Sequence, residues 1–285
     1  MARIHVVTDS GSDLPIDVRE RLGINVVPLT VQFGDEIFRD GEEISTEEFY
    51  KRLRSDSLIP STCQPSPADF VAMYEKIAEP GDTIISIHLS SKLSGTYQSA
   101  VLASTMIDPK IKVEAIDSRA ASMGIGLVAV AAAEAVQANK DLNEILEVIQ
   151  HAIDHLQVYF VVDTLEYLQK NGRIGLASAL MGTLLNIKPI LTLVDGQVAP
   201  FEKVRGKSKA LRRIRELCSD YGQKQPNRKL RVGISNADNL DGAVKLAAEL
   251  SEFLDLDGEV MIGDIGPTIG VHTGPGAVAL FLYAV

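Results

Sequence analysis

The stretch Thr83-Ile84-Ile85-Ser86-Ile87-His88-Leu89-Ser90-Ser91-Lys92-Leu93-Ser94-Gly95-Thr96-Tyr97 decides the fold class. Its first seven residues form a short β-branched run. A hydroxyl-rich turn follows, and a helical pattern then runs from Ser94 to Met106. A strand that passes through a Ser-rich turn into a helix is one arm of a βαβ unit. The pattern repeats on both sides: strand candidates Ile4–Thr8, Asn25–Phe33 and Lys112–Asp117 are separated by helical patterns over Thr46–Arg54, Pro67–Ala78 and Ser122–Asn139. Ser45 with Glu48 has capping-box spacing, and Ser66 precedes a proline in a first helical turn. The first half therefore reads as an α/β/α unit on a parallel sheet, a class that binds ligands at the carboxyl ends of its strands.

After the helix Leu142–Leu156 the texture changes. Tyr159–Asp163 reads as a strand, Thr164–Asn171 and Ala177–Leu185 as helices. Pro189–Val194 and Gln197–Val204, joined by Asp195-Gly196, carry the strongest hairpin signal in the chain and imply antiparallel pairing. Lys207–Tyr221 and Asp241–Leu254 are helical in pattern, with strands at Leu230–Ser235, Val260–Gly263 and Val278–Tyr283. The expectation is two α/β domains, 1–156 with a parallel sheet and 157–285 with a mixed sheet, sharing a broad interface because no Gly/Pro/Ser linker separates them.

Composition removes several classes of function. The 285 residues are 46% hydrophobic, enough for a large core, and carry a net charge of −10, the wrong sign for a polyanion-binding protein. Nucleic acid is not expected as a partner. Cys63 and Cys218 lie far apart without metal-ligand spacing, which points to a reducing cytoplasm and to no zinc site. The opening apolar run Ile4–Val7 is too short for a signal or a span, and Gly124–Val136 reads as a buried helix, so no stable membrane insertion is expected.

Five polar segments carry the candidate chemistry. Thr8–Leu14 ends the first strand with groups that cap a helix or order a turn. Pro60–Ser66 holds its hydroxyls on a proline-stiffened backbone. Ser90–Tyr97 puts hydroxyls and free backbone N–H groups at a helix start, where an anion is favoured. Thr164–Ile174 ends a helix with Asn-Gly and places Arg173 just beyond, either as a solvated side chain or as an oxyanion partner; Arg205-Gly206 invites the same two readings. Gly266–Ala277 combines glycines with one histidine and is no Walker loop. A nucleophilic Ser94 would need a base and lacks the G-x-S-x-G elbow. There is no G-x-G-x-x-G in the first βα unit, no H-E-x-x-H and no Cys/His ligand set, so no cofactor is expected.

Seven segments in register resemble the DegV family, the fatty-acid-binding subunits of bacterial fatty acid kinase. They are Thr8-Asp9-Ser10 with Ser12-Asp13-Leu14, Ser61-Thr62 with Gln64-Pro65-Ser66, Ser91–Tyr97, Asp117-Ser118 with Gly124, Thr164–Ile174, Leu185–Ile190 with Arg205-Gly206, and Gly270–Gly276. The resemblance implies the two-domain fold, with one long-chain fatty acid enclosed between the domains and presented to a separate ATP-using kinase subunit that makes acyl-phosphate. It implies that Thr62 and Ser94 bond the carboxylate with backbone N–H near Gly95, that His272 completes the polar end, and that Arg173 and Arg205 face the phosphate or the kinase. The chain alone would not be an enzyme. Bottom-up reasoning fits: a carboxylate leaving water needs several donors, whereas its tail needs only an apolar tunnel, at roughly 0.8 kcal/mol per methylene. Met123–Val130 and Leu180–Ile190 are the candidate lining. Two other readings stand beside this one: a serine acyl hydrolase using Ser94 and His272, and a binder of a phosphorylated small molecule.

Overall fold

The computed structural model describes residues 2–55, 59–181 and 187–285. In chain order, β1 (Ile4–Asp9), α1 (Ile16–Leu22), β2 (Ile24–Val27), β3 (Thr30–Phe33), β4 (Glu36–Arg39), α2 (Thr46–Ser55) and β5 (Ser61–Cys63) come first. Next are α3 (Pro67–Ile77), β6 (Thr83–His88), α4 (Thr96–Ser104), β7 (Lys112–Asp117), α5 (Met123–Gln137) and α6 (Leu142–His155). The remainder is β8 (Gln157–Val161), α7 (Glu166–Lys170), β9 (Ile187–Val194), β10 (Gln197–Arg205), α8 (Lys207–Gln223), β11 (Leu230–Asn236), α9 (Leu240–Ser251), β12 (Met261–Asp264), α10 (Pro267–Thr273) and β13 (Val278–Ala284).

Three sheets form among the described residues. Strands β2-β1-β6-β7 form a wholly parallel sheet, and β10-β9-β8-β13-β11-β12 form a mixed one in which only β11 and β12 run parallel. The α/β class and the parallel and mixed sheets expected from the sequence are thus present. Helix α5 touches β1 and β6 of the first sheet and β11 and β13 of the second. Sandwiched in this way, it is buried on every side, which is why its sequence is apolar all round and carries no amphipathic stripe. On the outer face of the parallel sheet Phe70 and Tyr74 of α3 pack with Ala100 and Ala103 of α4 against Val7 and Ile84. On the outer face of the mixed sheet Ile214 and Leu217 of α8 and Leu246 and Leu250 of α9 cover Val161, Ile234 and Leu280.

The third sheet, antiparallel β4-β3-β5, was not anticipated. The expected strand Asn25–Phe33 breaks at Pro28, which has no N–H to give a ladder, while the next amide, Leu29, donates to Ser10 Oγ at 3.0 Å. Its two halves therefore belong to different sheets. The segment 61–63, read as a rigid loop, pairs with β3, Val31 opposite Thr62. The glycine-rich segment near the C-terminus contains a helix, α10, started by Pro267 at its first turn and stopped by Gly274 at φ 72°. Of the expected helix Ala177–Leu185, the described part is a 3-10 turn, Gly175–Leu180, and 182–186 lie outside the described residues, as does the start of the Leu185–Ile190 segment. The hairpin β9–β10 turns at Asp195 and Gly196, both with positive φ, and its register slips between Pro200 and Glu202, leaving Phe201 as a bulge.

Candidate functional site

In the parallel sheet β1 leads outward to β2 and β6 leads the other way to β7, so the loops after the adjacent strands β1 and β6 diverge. Such a switch point leaves a crevice at the strands' carboxyl ends. A cavity opens there, about 870 Å³ of empty space when its open mouth is included. Leu89 and Leu93 line it from the loop after β6, Leu29 from the β2–β3 link, and Ile265 and Ile269 from around the start of α10. The mixed sheet contributes Val158, Phe160, Leu193, Val198, Ala279 and Phe281. The expected lining Met123–Val130 does not border the cavity: α5 spends its whole surface packing between the two sheets. Leu180 is buried in the core and the rest of Leu180–Ile190 either lies outside the described residues or does not border the cavity.

The polar groups of the cavity gather from three elements. Thr62 on β5 and His272 on α10 are hydrogen-bonded, Oγ1 to Nε2 at 3.0 Å. Burial, and secondarily the nearby Arg173 guanidinium, depress the His272 pKa to about 4, so the ring is neutral at physiological pH. Its Nδ1 is sealed from solvent and has no partner among the described residues. Whichever way the Thr62 bond runs, Nδ1 is left as a desolvated polar atom without a partner. Ser94 also lines the cavity, its Oγ 2.9 Å from Thr96 Oγ1. Gly95 caps α4, and a Cβ there would lie 3.1 Å from Nε2 of Gln64, a further lining residue, so glycine lets the loop approach. The opening amides of α4 add a positive dipole end.

Arg173 borders the cavity and is exposed; its Nε donates to the Leu93 carbonyl at 3.1 Å and its Nη1 to that of Asn171 at 2.8 Å. The guanidinium is thereby tied to the loop that carries Ser94. Arg205 is not brought to the cavity wall. It stands exposed at the end of edge strand β10, beyond the bulge. Ser94 and His272 are each bonded to a threonine and not to each other, so the pair expected of a hydrolase is not assembled. Among the described residues no group of His, Cys, Asp or Glu is placed to hold a metal ion, and no helix is long and apolar enough to cross a membrane.

Buried carboxyls hold this scaffold. Asp9 accepts from the Gly11 and Leu89 amides at 3.0 and 2.9 Å and contacts His88 Nδ1 at 3.0 Å; His88 Nε2 then meets Ser86 Oγ at 2.6 Å, which meets the Tyr74 hydroxyl at 2.8 Å. The Ser86–His88–Asp9 order mimics a catalytic triad, yet all three are wholly buried and none borders the cavity. The chain fixes both loops of the switch point. Asp13 accepts from the Gly266 amide at 2.9 Å and bonds Ser122, while Asp40 accepts from the Thr268 amide at 3.2 Å and from its hydroxyl. Burial pushes the Asp13 carboxyl well above the usual carboxylate range and raises that of Asp40, with repulsion from Asp9 adding to both and from Asp40 adding to the rise of Asp13. Together they grip the start of α10, the helix that presents His272.

Sequence reasoning missed Gln64, Ser122 and Thr268 as lining residues. Gln64 lay within the Pro60–Ser66 segment, and Thr268 within Gly266–Ala277; a one-dimensional reading had no means of showing that the two segments meet across β5 and α10.

The family model described as "Uncharacterised protein, DegV family" matches residues 3–285. A DegV domain-containing protein of Listeria innocua is 42% identical over 279 residues, covering 98% of this chain and 97% of the relative. Among solved structures, the fatty-acid-binding DegV family protein of Thermus thermophilus is 38% identical with a TM-score of 0.90, covering 99% of this chain and 100% of that one. DegV of Bacillus subtilis, described as a fatty acid binding protein, is 34% identical with a TM-score of 0.90 over the whole of both chains.

Proposed function

The chain belongs to the DegV family, and from that premise we propose that it binds one long-chain fatty acid in the cavity at the switch point and presents the carboxylate to a separate ATP-using kinase subunit. The observation that carries this reading is the unpartnered Nδ1 of His272, sealed in a largely apolar cavity beside Thr62 and Ser94. A buried donor without a partner costs about 1–3 kcal/mol, a cost that a ligand oxygen removes. With the Thr62 hydroxyl donating to Nε2 the ring proton sits on Nδ1, and a carboxylate meets it best, because it accepts from His272, from Ser94 and from the amides of α4 together. The aliphatic tail follows the leucine, isoleucine and phenylalanine walls, gaining roughly 0.8 kcal/mol per buried methylene. In this reading the ligand lies between domains 1–156 and 157–285, and the protein works in the cytoplasm without a cofactor.

Arg173, tethered at the mouth, would compensate the charge that develops as phosphate arrives, and the acyl-phosphate would feed phospholipid synthesis. Arg205 belongs to the kinase-facing surface in this reading. Mass spectrometry of an organic extract of the purified protein tests the binding step: long-chain fatty acid is expected, and a lipid-free extract from folded protein, or a polar phosphate in its place, overturns the reading. Incubation with ATP and fatty acid tests the second step. Acyl-phosphate is expected only after a kinase subunit is added; formation by the protein alone refutes the binding-subunit role.

A further inference from the structure

The cavity floor is graded. Ala277, just before β13, and Ala279 and Phe281 within it all line the cavity, two small side chains followed by a large one. Phe281 is 2% exposed. Its strand neighbours are fixed: Val158 of β8 on one side and, on the other, Gly233 of β11, whose open side is filled by Met123. Behind the ring stands Gly124 in the first turn of α5, where a Cβ would lie 3.0 Å from Phe281 Cδ1, 3.1 Å from Cε1 and 3.0 Å from the Ala120 Cβ. Glycine weakens a helix, so Gly124 does not serve α5; its lack of a side chain lets the ring sit back against the helix backbone. The ring also borders the cavity.

We propose that Phe281, seated on Gly124, is the depth stop that sets which acyl chains the cavity admits. The inference rests on the acyl-binding reading above and adds its selectivity. The ring ends the room that opens over Ala277 and Ala279. Withdrawing it lengthens the space for a tail, and pushing it forward by one methyl group at position 124 shortens it. Each methylene admitted or excluded changes relative affinity about fourfold.

The test equilibrates delipidated protein with an equimolar mixture of straight-chain saturated fatty acids of different lengths and reads the bound distribution by mass spectrometry. Phe281→Leu is expected to shift the distribution toward longer chains, about fourfold per added methylene. Gly124→Ala is expected to shift it toward shorter ones. Thermal melts establish that each variant is folded, and Phe281→Leu decides the matter by itself if Gly124→Ala does not fold. Wild type that binds fatty acid with a distribution unchanged in folded Phe281→Leu overturns the depth stop and leaves the acyl-binding reading standing. Wild type that takes up no fatty acid overturns the acyl-binding reading itself.

Discussion

Acid should unfold the ligand-free protein through His272. In the folded chain the imidazole stays neutral down to about pH 4 because it is buried and faces Arg173, whereas in an unfolded chain it takes a proton near 6.5. Between those values the unfolded chain binds more protons, so stability falls as pH drops through the window from about 6.5 to 4. The difference amounts to roughly 3 kcal/mol once the window has been crossed and to about 2 kcal/mol between pH 7 and pH 4.5. The comparison is wild type against His272→Gln, which cannot titrate, in urea unfolding of delipidated protein at both pH values. The wild type should lose about 2 kcal/mol more than the variant over that interval. Two parallel pH profiles, or an NMR titration placing the ring at or above 6.5, would refute the assignment of a sealed, neutral donor. Added fatty acid should then reverse the effect, since a carboxylate beside Nδ1 favours the protonated ring and lifts its pKa.

Replacing Thr62 and Ser94 together by Ala should sharply reduce the fatty acid retained through purification, Ser94 losing a hydroxyl worth about 1.5–3 kcal/mol to a charged acceptor and Thr62 the bond that holds His272; unchanged occupancy would reduce both to local turn roles. Arg173→Ala should leave fatty acid content near that of wild type while lowering acyl-phosphate formation with the kinase subunit, and outright loss of ligand would instead place the guanidinium in the binding site. Asp9→Ala strips an acceptor from His88 and from the Gly11 and Leu89 amides and should cost about 3–5 kcal/mol in urea unfolding; a loss below 1 kcal/mol would show that the buried chain does not fix the loops. Tyr50→Phe removes the hydroxyl that donates to the Ile265 carbonyl at 2.9 Å and should cost about 1–2 kcal/mol by the same measurement.

Local signals in the sequence carried far where the physics was local. The Ser45 cap on the Glu48 amide, the helix start at Ser66-Pro67, the Asp195-Gly196 turn and the strand–helix–strand run from Thr83 to Asp117 depend on neighbours a few residues away, and all are present. The site residues were legible as segments, since short hydroxyls and glycines at strand ends mark loops that approach a ligand. Their meeting was not. Thr62 bonds His272 across 210 residues, and the strand that carries Thr62 pairs with β3, which Pro28 separates from the parallel sheet. The cavity walls were misplaced for a related reason: the most apolar segment, Met123–Val130, was read as lining, but a helix apolar on every side is one that packs on every side. Arg205 looked equivalent to Arg173 because both precede or follow a glycine, and no short-range pattern distinguishes the arginine tied to the Leu93 carbonyl from one at the sheet's edge.

That edge bears on how the protein behaves at high concentration. An outermost strand offers a row of unpaired peptide groups to any passing chain, and β10 is the outermost strand of the mixed sheet. Its ladder slips at Phe201, exposed Pro200 next to it has no amide to give, and Lys203 and Arg205 stand in solvent along the remaining stretch. A second molecule laying a strand alongside would meet a kink, a missing donor and two cations in succession. The bulged end of the hairpin thus protects the crowded protein from joining edge to edge into aggregates, and removing both cations should show first as turbidity, not as lost binding.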